Sequence, residues 1–313
     1  MLRIEGTVRP KRNVKGDMNR RELLSAMVAT PLLAALAACG DPDQEAAATN
    51  PTTSDTTPTS GGPTTTVTGS GLAIPHPTGP EDVVLKLTYE GGFVPAGYAF
   101  VNTPVLLVSG DGRVFTQGAV PAIFPGPLLP TVLVRTITED GLQALLGIAQ
   151  NAGLLTHPPD YAGGDTVADA PNTVLAINAN GGTFVHSAYA LGIDSPESPA
   201  RQKLLDATTM LGDIEKAAGA NLGPDGPFVP TAYRLQARAV DPTELSNQEP
   251  APSVVDWPAA TGVSLVTATE CARVDAASAG SLFTDAKQNT YFKEGDIVYQ
   301  VSVAGVLPGD SAC

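Results

Sequence analysis

Few side chains in this sequence suit chemistry. There are three cysteines and three histidines among 313 residues, set against 32 carboxylates. Cys39 stands alone at the end of an apolar run, where its thiolate is the one good nucleophile and can accept a covalent group. Cys271 and Cys313 form a C-terminal pair, and two thiols left over in an exported chain read as one disulfide. Such a bridge closes a loop of about 40 residues and stabilises by about 3–4 kcal/mol in the chain-entropy model.

Of the histidines, His76 falls in a Pro-rich linker and His157 precedes Pro158-Pro159 in a loop. His186 lies in "TFVHSAY" on the strand face of Phe184 and Ala188. A histidine on such a face is more often a satisfied structural group, yet it is also the best-placed general base if the chain is a hydrolase. The loop "HPPDYAGGDTVADAP" carries His157, Asp160, Asp165 and Asp169. Its oxygens could serve Ca²⁺, or with His186 another metal, but the spacing departs from the EF-hand pattern. The plainer reading is a solvated loop in an acidic protein. No G-x-S-x-G, H-E-x-x-H, C-x-x-C or P-loop occurs, so neither a cofactor nor a metal is expected.

The apolar run is Leu23–Ala38, sixteen residues without a charge, preceded by Arg20 and Arg21. It is short of the roughly 20 residues that span a bilayer and has the flanks of a signal-peptide core. "Leu36-Ala37-Ala38-Cys39" resembles the lipobox of bacterial lipoproteins. The resemblance implies cleavage before Cys39, transfer of a diacylglycerol (a palmitate-type modification) to its thiol, and a lipid anchor on the extracytoplasmic face of the cell membrane. "Asn19-Arg20-Arg21-Glu22-Leu23-Leu24" resembles a twin-arginine export signal. It departs from that signal at Asn19 and lacks a Lys after Leu24, and a plain secretory signal is the alternative. Either Met1 or Met18 can serve as the start.

Charge narrows the partners. The whole chain carries 18 basic and 32 acidic residues; removing residues 1–38 leaves 11 against 29, a net −18. Phosphate backbones and anionic headgroups repel such a surface, so nucleic acid is not an expected partner and membrane contact should come through the lipid. The partners expected are the membrane, through the diacylglycerol, and an envelope protein or small ligand.

The elements that must position these residues follow a stalk. Residues 39–79 read as a disordered Thr/Pro/Ser-rich linker, with ten Thr between Asp41 and Ser70 and too little apolar side chain to fold. "VVLKLTY" reads as a strand, and Gly110-Asp111-Gly112 as the turn between the next two. "PAIFPGPLLP" is a non-helical crossing and "VLVRTI" another strand. Thr138 caps a helix with Leu142, Leu145, Leu146 and Ala149 on its inner face. A hairpin turning at Asn180-Gly181-Gly182 leads to a second helix over 198–218. Residues 80–225 therefore read as an α+β unit. Residues 226–313 read as a β-rich unit with Trp257, "GVSLVTA", a short helix near 276–283 and a terminal hairpin. In that hairpin Ile297, Tyr299, Val301 and Val303 alternate with Val298, Gln300 and Ser302. The two units can equally be one domain. The fold class expected is α+β, antiparallel hairpin sheets under two longer helices and a shorter one.

"YEGGFVPAGYAF", "GDGRVF", "PGPLLP", "HSAYALG" and "VLPGDSAC" give the body a resemblance to a type of lipoprotein found in high-GC Gram-positive bacteria. That resemblance implies location and no activity. The expected function is a membrane-anchored lipoprotein with a non-catalytic binding or scaffolding role in the cell envelope. The alternatives are a hydrolase using His186 and a cation- or ligand-binding accessory protein using the 157–169 loop.

Overall fold

A computed structural model describes residues 73–313 apart from 96, 165, 194, 195 and 312. Residues 1–38, Cys39 and most of the expected linker lie outside the described residues. The fold begins earlier than residue 80. Ile74 is buried in the first core, and the Gln143 side-chain amide holds both its N–H and its C=O, at 2.7 and 2.9 Å. His76 reaches Glu139 at 3.1 Å and is part of the body, not of a linker. An apolar slot beside the first long helix draws this segment in.

The described residues belong to one compact unit of the α+β class. Seven strands make the first sheet: β1 (Val83–Gly91), β2 (Leu106–Ser109), β3 (Arg113–Gln117), β4 (Val132–Thr136), β5 (Pro171–Ala179), β6 (Gly182–Tyr189) and β7 (Gly226–Pro227). Their order is β6-β5-β1-β2-β3-β4-β7, antiparallel throughout. The β5–β6 hairpin turns on Asn180 and Gly181, both at positive φ, which the twist of a two-residue turn demands. Along β5, Thr173, Leu175, Ile177 and Ala179 point inward, as the two-residue period requires.

Helices α1 (Tyr98–Val101), α2 (Glu139–Asn151), α3 (Pro199–Gly212) and α4 (Ile214–Ala218) interrupt the strands. Thr138 caps α2 by accepting the Gly141 N–H, and Glu139 and Asp140 face its positive end. The helix expected over 198–218 divides at Asp213. There the backbone leaves helical geometry and the carboxylate accepts the Lys216 N–H, which starts α4. Leu145, Leu146, Leu204 and Leu211 lie on Leu85, Leu87, Leu175 and Ile177 to form the first core.

The second sheet has β8 (Ala232–Ala239), β9 (Ser253–Asp256), β10 (Ala272–Asp275), β11 (Thr290–Glu294) and β12 (Ile297–Gly305), ordered β10-β8-β12-β11-β9. Only β9 and β11 run parallel among these pairs. Two short helices, α5 (Pro242–Ser246) and α6 (Ala276–Ala279), complete it. Its core is aromatic: Trp257 meets Phe292 edge-on at 5.6 Å and Tyr233 meets Phe283 at 5.1 Å. "GVSLVTA" forms a turn, in which Glu294 Oε2 gathers the N–H groups of Leu265 and Val266 and the hydroxyl of Ser264. Ile297 faces solvent at the mouth of the hairpin, while Tyr299, Val301 and Val303 are buried.

The two sheets share pieces. β7 comes from the segment after residue 225 yet pairs with β4. The Pro-rich crossing bonds to the approach of β11, Leu128 N–H to Ala286 O at 3.0 Å and Gln288 N–H to Gly126 O at 2.9 Å. Between β1 and β2, α1 sits against the second sheet: Arg234 of β8 lies 5.1 Å from the Phe100 ring, and Gly97 leaves no room for a Cβ against Ser302 of β12.

Candidate functional site

Cys39, Arg20 and Arg21 lie outside the described residues. Cys271 and Cys313 form a disulfide with their Cα atoms 5.1 Å apart. Cys271 immediately precedes β10, so the bridge fastens the end of the chain to an edge strand of the second sheet.

His186 is on β6, on the face shared with Ala188, and has no exposed surface. Its Nε2 lies 2.8 Å from the Leu154 carbonyl, which can only accept, so Nε2 carries the proton. Nδ1 then accepts from the Tyr161 hydroxyl at 2.7 Å. Burial pulls the imidazole below its ordinary range, with the Leu154 carbonyl opposing. A neutral ring with both nitrogens engaged and no open side is a fastening for the 152–170 segment. The hydrolase reading, which needs this ring as a base, gains no support from such a site.

The same segment is held by a residue pair that sequence reasoning missed. Arg201 of α3 is 1% exposed and grips Glu197 through Nε and Nη2. Its remaining donors reach the Tyr161 and Ala190 carbonyls at 3.1 and 3.3 Å. Glu197 also accepts the Gly192 N–H at 2.7 Å, and its hydrogen bond from Arg201 holds its carboxyl below the usual range. Gly163 is needed beneath the guanidinium: at φ +142°, a Cβ there would stand 3.2 Å from Arg201 Cδ and Nε. Tyr189 adds a third fastening, donating to Val167 O at 2.8 Å and accepting from Ala170 N–H. The available signal was Glu197 four residues before Arg201 across the start of a capped helix.

The acidic loop is thus shaped by Tyr161, Tyr189 and Arg201. Asp160 accepts the Ala162 N–H, His157 is exposed, and Asp165 lies outside the described residues. Among the described residues no three of His, Cys, Asp or Glu converge as metal ligands.

The buried His186 makes a pH prediction. Unfolded, it titrates near 6.5. Folded, its value is lower, so below about pH 6.5 the unfolded chain binds more protons and stability falls with pH until the folded value is passed. Urea midpoints from pH 7.5 to 5 should decline more steeply for the wild type than for His186→Gln. Equal slopes would contradict the assignment.

Among the open concavities of this fold, two lie on either side of α1. One lobe, about 260 Å³, runs between α1, the end of β3 and the Pro-rich crossing. Val101, Val120, Leu128 and Leu129 supply its apolar walls, and no charged side chain lines it. Three amides line it with one end fixed: Asn102 donates to Tyr89 O, Gln117 donates to Thr103 O, and Gln288 accepts from Gly126 N–H. The second lobe, about 270 Å³, lies between β1, α1 and the second sheet, and Lys86, Glu90, Arg234 and Asp310 line it. Tyr98 and Asn102 line both lobes, so the two adjoin. Three of the stretches that carried the body's resemblance, Tyr89–Phe100, Pro125–Pro130 and Val306–Cys313, contribute residues to this groove.

Fold and groove together define a class: a disulfide-closed α+β body with an open two-lobed groove beside the junction of its sheets. No model of a known family matches the chain, and neither a curated protein nor a solved structure is detectably similar to it.

Proposed function

We propose that this protein is a lipoprotein of the cell envelope, anchored at the extracytoplasmic face of the membrane by a diacylglycerol on Cys39, with a non-catalytic binding role. The observation that carries the reading is the pairing of Cys271 with Cys313. Disulfides belong to oxidising compartments, and the pairing leaves Cys39, the lipobox position, as the one cysteine outside the bridge. The preceding arginines and apolar run support export. Among the described residues no helix is long and apolar enough to cross a membrane. Packing of Ile74 shortens the proposed tether to about residues 39–72. The groove supports a binding role, and the acidity of the chain argues against nucleic acid as what is bound.

Growth of the native host with a labelled fatty acid should label the wild type and not Cys39→Ala. A wild type without label would overturn the assignment of the anchor.

A further inference from the structure

We infer that the groove around α1 binds a small single-chain amphiphile with an anionic head, its tail in the uncharged lobe and its head at Lys86 and Arg234. This rests on the binding role proposed above and not on the lipid anchor. The tail assignment follows from the walls. The lobe lined by Val101, Leu128 and Leu129 has no charge to compensate, and apolar surface there favours a chain that displaces water. Tyr98, half exposed where the lobes meet, offers an apolar ring flank and a polar tip.

The head assignment follows from which cations in the second lobe are left with unused hydrogen-bonding capacity. Lys86 is half-buried on β1 between Leu85 and Leu87, and its ammonium has neither an ion pair nor a hydrogen bond among the described residues. An unpaired ammonium in partial burial gains most from an anion. Arg234 is ion-paired with Asp310, Nε to Oδ2 at 3.7 Å, and lies over the Phe100 ring, but that buried Nε has no hydrogen-bond acceptor. The Asp310 oxygen already accepts the Leu307 N–H at 3.0 Å. Two carboxylates oppose an anion here: Asp310 is committed to Arg234, and the other is Glu90. It is exposed at the rim, where solvent screens it, and it accepts the Thr88 hydroxyl at 2.8 Å. Lys86 is therefore the charge an anionic head would neutralise, and Glu90 the one it would tolerate.

The test uses the mature chain, residues 39–313, carrying Cys39→Ala, in calorimetric titrations with hexanoate, octanoate and decanoate. Affinity should rise about fourfold per added methylene. Octyl phosphate should bind as well if the site reads charge and not carboxylate shape, whereas inorganic phosphate and acetate, which lack the tail, should not bind measurably. Lys86→Gln should weaken octanoate about tenfold and leave 1-octanol unchanged. Glu90→Gln should tighten octanoate and leave 1-octanol unchanged, a gain that a damaged fold would not produce. Tyr98→Ala should weaken acid and alcohol alike. Absence of chain-length dependence, or equal octanoate affinity in wild type, Lys86→Gln and Glu90→Gln, would overturn the inference. Because Cys39 acylation is measured separately, such a failure would leave the anchor standing, and loss of the anchor would leave this site untouched.

Discussion

Replacing both Cys271 and Cys313 by Ser is expected to lower the unfolding free energy by about 4 kcal/mol, the chain-entropy value for a loop spanning 42 residues. The loop contains β11 and β12, and β12 is the central strand of the second sheet. It also contains Phe283, Phe292, Val301 and Val303 of that sheet's core. Without the bridge the unfolded chain regains its freedom, while the aromatic packing of the folded state is unchanged. The double variant avoids an odd thiol. Domains of this kind are stable by about 5–15 kcal/mol, so the reduced body should still fold, though marginally. That is what export of a folded chain by a twin-arginine route would require. Urea unfolding with and without reductant gives the measurement. A loss under about 1 kcal/mol would mean the bridge holds only the chain's end and does not constrain the unfolded state.

Arg201→Met should cost about 3–5 kcal/mol, because it leaves the Glu197 carboxylate enclosed without its cation. The Tyr161 carbonyl loses its Arg201 donor at the same time, and the Ala190 carbonyl keeps only the Ile193 N–H. The double variant Arg201→Met with Glu197→Leu should recover a large part of that loss, since removing both charges removes the desolvation penalty. The loosened segment is specific: proteolysis should move to residues 157–170 in the single variant. If the single and double variants are equally destabilised, the pair is acting through side-chain volume and not charge.

These expectations separate what local pattern reveals from what it hides. The α2 helix was legible end to end because Thr138, the acidic first turn, four apolar positions on one face and Gly153 all agree. Asn180-Gly181 announced its hairpin for the same reason. The satisfied character of His186 could be read from the apolar neighbours on its face. By contrast, "GVSLVTA" has strand composition, and only a carboxylate thirty residues away, on Glu294, bends it into a turn. Ile74 looked like part of a stalk because its slot is made by α2, far along the chain. Asp213 reads as one more polar helical residue until its side chain caps a new start.

The groove was the least legible feature. Lys86 is one of the polar positions of an alternating strand, Tyr98 sits on a one-turn helix, and the crossing at Pro125–Pro130 reads as connection. What makes them a site is the meeting of two sheets whose strands come from opposite ends of the chain, and no local period encodes that meeting. The buried Arg201 was hidden likewise, since a charged residue on a helix is ordinarily read as its solvent side.

The most direct test of the account is the intact mass of the protein extracted from its own host's membranes. The account predicts the mass of residues 39–313 plus a diacylglycerol, less two hydrogens for the Cys271–Cys313 bridge. An unlipidated chain that still contains Leu23–Ala38 would contradict it, and the proposed address and anchor would fall together.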